Sequence, residues 1–243
     1  MVGYIHFTGR RGRVQLWRHE ALGLTVWEAR LPGTEESRLA RRRMAKGLDR
    51  LEGTGCRRLL SPCPLVPYYP LVHTRSLWQA VAAPLALAAL REMGLEPRQA
   101  VVALHGERMT RSYVRTCVLL AREVKALSLS LEREETFCWD LQRELGLPLV
   151  EGAGAVTLSF LPGVARPAYF PLGDEDPSVP GFRPFLPGLE LPPDCPELPV
   201  LAALLEAGRL PLAEVQMLPP PPAREAGGRL PARSGPARPP FSV

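Results

Sequence analysis

The chain has 243 residues, 46% of them hydrophobic and 23% charged, with a formal net charge of +5. That length suits one or two domains with a real core, and those fractions exclude a wholly disordered chain. No Gly-X-Y period runs through it, and five cysteines are too few for a disulfide scaffold, so collagen-like and disulfide-stapled classes are excluded as well.

The charge is unevenly placed. Residues 1–58 hold 13 Lys and Arg against 6 Asp and Glu, whereas the remainder holds 17 against 19. Only Lys46 and Lys125 are lysines. Beside abundant Pro, Ala, Gly and Leu, the arginine excess reads as codon usage in a GC-rich genome, which speaks against a nucleic-acid partner. The cysteines contain no C-x-x-C, as expected of reduced thiols in a cytoplasmic protein. His6, His19, His73 and His105 are isolated in sequence, which speaks against a zinc site. Arg10 and Arg11 come too early for a signal peptide, and the longest uncharged apolar run, 76–90, is shorter than the ~20 residues of a spanning helix. No membrane partner is expected.

Period-two apolar placement at 3–7, 14–17 and 24–27 predicts a small antiparallel set of strands, closed by Pro32 and Gly33. Thr34 is placed to cap a helix reaching about residue 51, with Glu35 and Glu36 in its first turn. Its apolar stripe is Leu39, Met44, Leu48 and Leu51; Arg38, Arg41, Arg42, Arg43, Lys46 and Arg50 occupy the other faces. Residues 57–60 read as a short strand. These elements make a small basic β-rich α/β module over 1–60. Four prolines between 62 and 70 make 61–73 an extended linker. The next helix, capped by Thr74 or Ser76, is kinked or restarted at Pro84 and stopped at Gly94.

Residues 100–104 are a continuous apolar run, as in a strand buried on both faces. A helix over 110–122 presents Tyr113, Val114, Cys117, Leu120 and Ala121 on one face. A strand at 126–131, a helix at 134–145, a proline-bearing edge strand at 147–150 and a strand at 155–160 follow. Alternating strands and helices with short joints predict right-handed crossovers and a parallel sheet of spatial order 3-2-1-4. The expected fold class is therefore α/β, with a four-stranded parallel Rossmann-like domain over 74–163 behind the N-terminal module. An irregular Pro-rich region, 164–218, carries one helix at 200–207. Residues 219–243 are expected to be a disordered tail, whose four prolines at 219–222 could serve a protein partner.

In a doubly wound sheet the loop after the first strand meets a helix N-terminus that favours phosphate. Here that loop is 105–110, which makes Gly106, Thr110 and Arg111 candidate phosphate contacts. The second strand ends at Glu132, where an acidic residue would meet a ribose hydroxyl; the adjacent Arg133 would instead meet a 2′-phosphate. With its preceding helix, its acidic–Arg pair and its Pro-Gly loop after the fourth strand, segment 74–163 resembles the nicotinamide-binding domain of the shikimate dehydrogenase and glutamyl-tRNA reductase type. The resemblance implies NAD or NADP as cofactor, with Gly106 and Thr110 at the pyrophosphate, Glu132 and Arg133 at the ribose, and Leu161, Pro162 and Gly163 near the nicotinamide. The chain departs from that family in carrying Gly106 alone where three glycines are usual. The family's catalytic Lys and Asp have no motif match, although Lys46 and Asp49 stand on the basic helix.

The leading functional reading is a cytoplasmic Rossmann-like protein of undefined activity, non-catalytic or binding an unidentified small molecule or nucleotide. One alternative is an NAD(P)-dependent oxidoreductase of the shikimate dehydrogenase type. The other is a polyanion-binding or nucleic-acid-binding module over 34–58, with Tyr4, Trp17 and Trp27 stacking on bases. Against it stands a solvated helix face with the three aromatics packed beneath, which is the expectation adopted. Asp174, Glu175 and Asp176 form an acidic turn expected to be solvated, with the chemistry to hold a cation.

Overall fold

The computed structural model describes residues 1–64, 67–133, 140, 143, 144, 146, 150 and 152–219. Three strands open the chain: β1 (Val2–Phe7), β2 (Gln15–Ala21) and β3 (Leu24–Leu31). β2 and β3 form an antiparallel hairpin whose two turn residues, Leu22 and Gly23, both have positive φ, as a tight primed turn requires. β1 departs from the expected antiparallel set. It runs parallel to β3, with Tyr4 opposite Glu28 and Phe7 opposite Leu31, so the order is β1-β3-β2. Alternating apolar residues fix which face of a strand is buried but not the direction of its neighbour, and periodicity could not see this. The segment between β1 and β2 consequently passes around the end of β3, where the Thr8 N–H donates to the Leu31 carbonyl and the Gly33 N–H to the Arg10 carbonyl. Beyond β1, Leu59 forms a single parallel bridge to Gly3, and Leu71 bridges in turn to Leu59.

Helix α1 (Ala40–Gly53) covers one face of this sheet, burying Met44, Leu48 and Leu51 against Ala29 and Leu31. A Cβ on Gly47 would stand 2.9 Å from Leu31, so a glycine lets helix and strand approach. The helix starts at Ala40 rather than at the expected Thr34. Gly33 has a φ of +83° and redirects the chain, and residues 34–39 are spent in turns, the Ser37 N–H donating to the Thr34 carbonyl. Leu39 thereby falls outside the stripe and is exposed. Of the three aromatics expected beneath the helix, Trp27 is partly buried in the core under α1, Tyr4 is buried in the main core on the opposite face of the sheet, and Trp17 is 47% exposed.

The helix expected to kink or restart at Pro84 is two helices, α2 (Arg75–Ala80) and α3 (Ala82–Glu92), with the break three residues earlier, at Val81. Pro84 lies in the first turn of α3, where its missing N–H costs nothing. Next come β4 (Val101–Gly106), α4 (Arg111–Ala121), β5 (Ala126–Leu131), β6 (Val156–Ser159) and β7 (Tyr169–Pro171). They build a four-stranded, all-parallel sheet in the order β5-β4-β6-β7. The expected second, first and fourth strands are thus adjacent in that sequence. The expected helix at 134–145 and third strand at 147–150 fall mostly outside the described residues. β7, three residues long, adds an edge that no pattern announced.

One face of this sheet presents Val102, Leu104, Leu127, Leu131, Val156, Leu158 and Phe170 to the main core, shared with α2, α3, α4 and α5 (Glu197–Glu206). By strand alternation the opposite face carries smaller or more polar groups: Ala103, His105, Ser128, Thr157 and Ser159. α5 begins three residues before the expected start at 200, with Pro199 tolerated in its first turn. β8 (Arg183–Phe185) and β9 (Gln216–Leu218) pair antiparallel. The tail expected to be disordered, 219–243, lies outside the described residues from 220 onward. The same core continues into the first sheet through Val2, Tyr4, Leu24 and Val26 and includes Trp78 and α5. Among the described residues, no helix is long and apolar enough to cross a membrane.

Candidate functional site

Parallel strands end together, so the residues expected to bind a cofactor gather at one edge. Gly106 closes β4, Glu132 and Arg133 follow β5, and Pro162 and Gly163 follow β6. Backbone bonds tie these ends: Glu132 N–H to the Gly106 carbonyl at 3.0 Å, Arg133 N–H to the Glu107 carbonyl at 3.1 Å, and Phe160 N–H to the His105 carbonyl at 2.7 Å. Thr110 caps α4, its hydroxyl accepting from the Tyr113 N–H at 3.2 Å, and Arg111 is the first, exposed residue of that helix. Its cap follows the sequence rule that a hydroxyl satisfies one of the free N–H groups of a first turn.

Two details separate this edge from a dinucleotide turn. A Cβ on Gly106 would stand 3.0 Å from Leu131 and 3.2 Å from Tyr113, so the glycine serves internal packing. Arg133 Nη2 lies 2.9 Å from Glu107 Oε1, an exposed pair that joins the ends of β4 and β5 where a 2′-phosphate would need the charge. Burial lowers the pKa of His105 on the polar face of β4. Lys46 and Asp49 are exposed on α1, which packs on the first sheet.

A second constellation, which sequence reading did not find, lies on the first sheet. Glu28, at the middle of β3, is 1% exposed. Arg30 Nε donates to its Oε1 at 2.7 Å; His6 Nδ1 stands 3.3 Å from Oε1 and His19 Nε2 3.0 Å from Oε2. Burial alone would raise the Glu28 pKa. The bonds from Arg30, His19 and His6 together outweigh it and hold the carboxyl at about 2. Burial and the nearby Glu28 push the Cys195 thiol up to about 12, and burial likewise raises the Tyr4 phenol, so both stay protonated beside the carboxylate. His6 also reaches Asp194, with Nε2 at 3.3 Å from Oδ2. The Arg30 guanidinium lies 4.4 Å from the centre of the exposed Trp17 ring. Beside this network the strand ends and the loop over residues 8–13 line a half-open cavity of about 400 Å³.

The signal for this cluster was present in the sequence. Tyr4 and His6, Trp17 and His19, Glu28 and Arg30 are each two apart, which puts each pair on one strand face. Only the register that sets Tyr4 and Trp17 against Glu28 brings them together. The histidines are isolated in sequence but not in space.

The acidic turn expected to be solvated is engaged as well. Asp176 Oδ1 accepts from the Thr74 N–H at 3.0 Å and from its hydroxyl at 3.2 Å, and Oδ2 lies 3.1 Å from His73 Nδ1. Burial opposes ionisation of Asp176, but the His73 and Thr74 bonds prevail and lower its pKa. Among the described residues, no group of three or more His, Cys, Asp or Glu side chains is arranged to hold a metal ion. Neither a protein-family model nor a curated protein matches the chain.

Proposed function

We propose that this chain is a Rossmann-like α/β protein that binds a small nucleotide-class ligand at the carboxyl edge of its parallel sheet and acts by binding rather than by hydride transfer. The observation that carries the reading is the order β5-β4-β6: the chain leaves β4 for one neighbour and later returns to the other, which makes the ends of β4 and β6 the switch point where parallel α/β sheets bind their ligands. The capped first turn of α4, with Arg111 on it, follows the end of β4 at that switch point. The packing role of Gly106 and the pairing of Arg133 with Glu107 favour a ligand with a single phosphate over a dinucleotide. Among the described residues, nothing at this edge supplies the Lys and Asp of the oxidoreductase reading.

Thermal unfolding with AMP, NADH and NADPH tests it. A nucleotide at a hundred times its dissociation constant adds about 2.7 kcal/mol, which for a chain of this length raises Tm by roughly 5–10 °C. The expected result is such a rise with AMP, largely lost in Arg111→Ala. Absence of any rise with all three at millimolar concentration would overturn the proposal.

A further inference from the structure

The cavity on the first sheet uses none of the residues at the parallel-sheet edge. Its volume of about 400 Å³ lies in the lower part of the range for small-molecule sites. Arg10, Arg11, Arg13 and Arg30 line it together with His6 and Asp194. Among the described residues, Arg10, Arg11 and Arg13 have no ion-pair partner, while Asp194 is engaged by His6. Four guanidinium groups around one small space repel each other, and an anion between them relieves that repulsion.

The wall is built rather than accidental. Arg30 is fixed twice, by the Nε bond to the buried Glu28 and by stacking on Trp17. Its terminal nitrogens make no hydrogen bond among the described residues, which leaves the fork that suits a tetrahedral oxyanion. The loop that carries the other three is pinned to the end of β3: the Thr8 hydroxyl and N–H both donate to the Leu31 carbonyl, and the Gly9 N–H to the Gly33 carbonyl. With Asp194 and the Arg30-bonded Glu28 counted against the four arginines, a dianion balances the remaining charge, where a monocarboxylate would leave half of it.

We propose that this cavity binds a small phosphate dianion, inorganic phosphate or the phosphate of a monoester, with Arg30 as the fixed contact and Arg10, Arg11 and Arg13 supplying the remaining charge. Phosphorus NMR titration of the full chain with inorganic phosphate and with phenyl phosphate, in physiological chloride, tests it. The expected result is one saturable site with a dissociation constant of about 1 mM or tighter. Because Arg11 and Arg13 are exposed, the double variant Arg11→Gln, Arg13→Gln keeps the fold, and it weakens binding about tenfold or more. Arg41→Gln with Arg42→Gln, on the exposed face of α1, and Arg111→Ala, at the parallel-sheet edge, leave it unchanged. Tighter binding of phenyl phosphate identifies a monoester as the ligand, and equal binding identifies free phosphate. No saturation by ~10 mM would overturn the proposal. So would equal weakening in the α1 variant, or preferential binding of a DNA duplex with a steep salt slope, since either marks a diffuse polyanion surface.

Discussion

Replacing Glu28 by Gln keeps the shape of the side chain and removes its charge. In the wild type the carboxyl is held at about 2, against an ordinary value near 4.5. The unfolded chain therefore binds the proton more tightly than the folded one, and Glu28 stabilises the fold at pH values above its ordinary range. That contribution amounts to about 3 kcal/mol at pH 7, from a depression of roughly 2.5 units at 1.36 kcal/mol each. As the pH falls through 4.5 towards 2 it is lost, and about 1.4 kcal/mol remains at pH 3. Urea unfolding followed by circular dichroism, at pH 7, 5, 4 and 3, reads the difference between wild type and Glu28→Gln. That difference shrinks by roughly 2 kcal/mol between pH 7 and pH 3, and because both proteins share every other carboxylate the comparison isolates this one. If Glu28→Gln does not fold, His19→Gln removes one of the three bonds and shows a smaller change of the same sign. A gap between the two proteins that stays constant over this range would refute the assignment of an ionised, bonded Glu28.

Two further expectations follow from the same contacts and steric limits. Asp176→Ala removes the acceptor for the Thr74 N–H and hydroxyl and costs about 1 kcal/mol, the usual net worth of a hydrogen bond; the loss seen by urea unfolding fades as the pH drops below the ordinary aspartate range, because the folded carboxyl titrates lower. Gly173→Ala places a Cβ 2.3 Å from the Leu161 carbonyl carbon and costs about 3 kcal/mol, whereas Gly94→Ala, with open space but a φ of +70°, costs about 1 kcal/mol; comparable midpoints for the two variants would contradict the tight backbone contact at 173.

The parts of the fold that were legible are those written in local chemistry. The run 100–104 and the stripe through Tyr113, Cys117 and Leu120 each lie within one element, and strand–helix alternation then limits the sheet to a few arrangements. Illegible were features decided by pairing across the sequence. The direction of β1, the engagement of Asp176 with Thr74, and the meeting of His6 and His19 at Glu28 depend on which segments become neighbours. The start of α1 was misplaced for a different reason. Thr34 has the chemistry of a cap, but the left-handed Gly33 and the turns after it use up the residues that would have formed the first turn. β7 is too short for any periodicity to register.

Trp78 and the apolar face of α5 belong at once to the packing beneath Tyr4 and Val26 and to that beneath Val102 and Leu104. One shared core couples the stability of the two sheets, so a molecule that holds either one folded would protect the other too. A ligand bound at the arginine-lined hollow and one bound at the ends of the parallel strands would thus be linked through a common stability even if neither changed the other's affinity for the native form. A cell that raises the concentration of one would lengthen the lifetime of the protein available to the other.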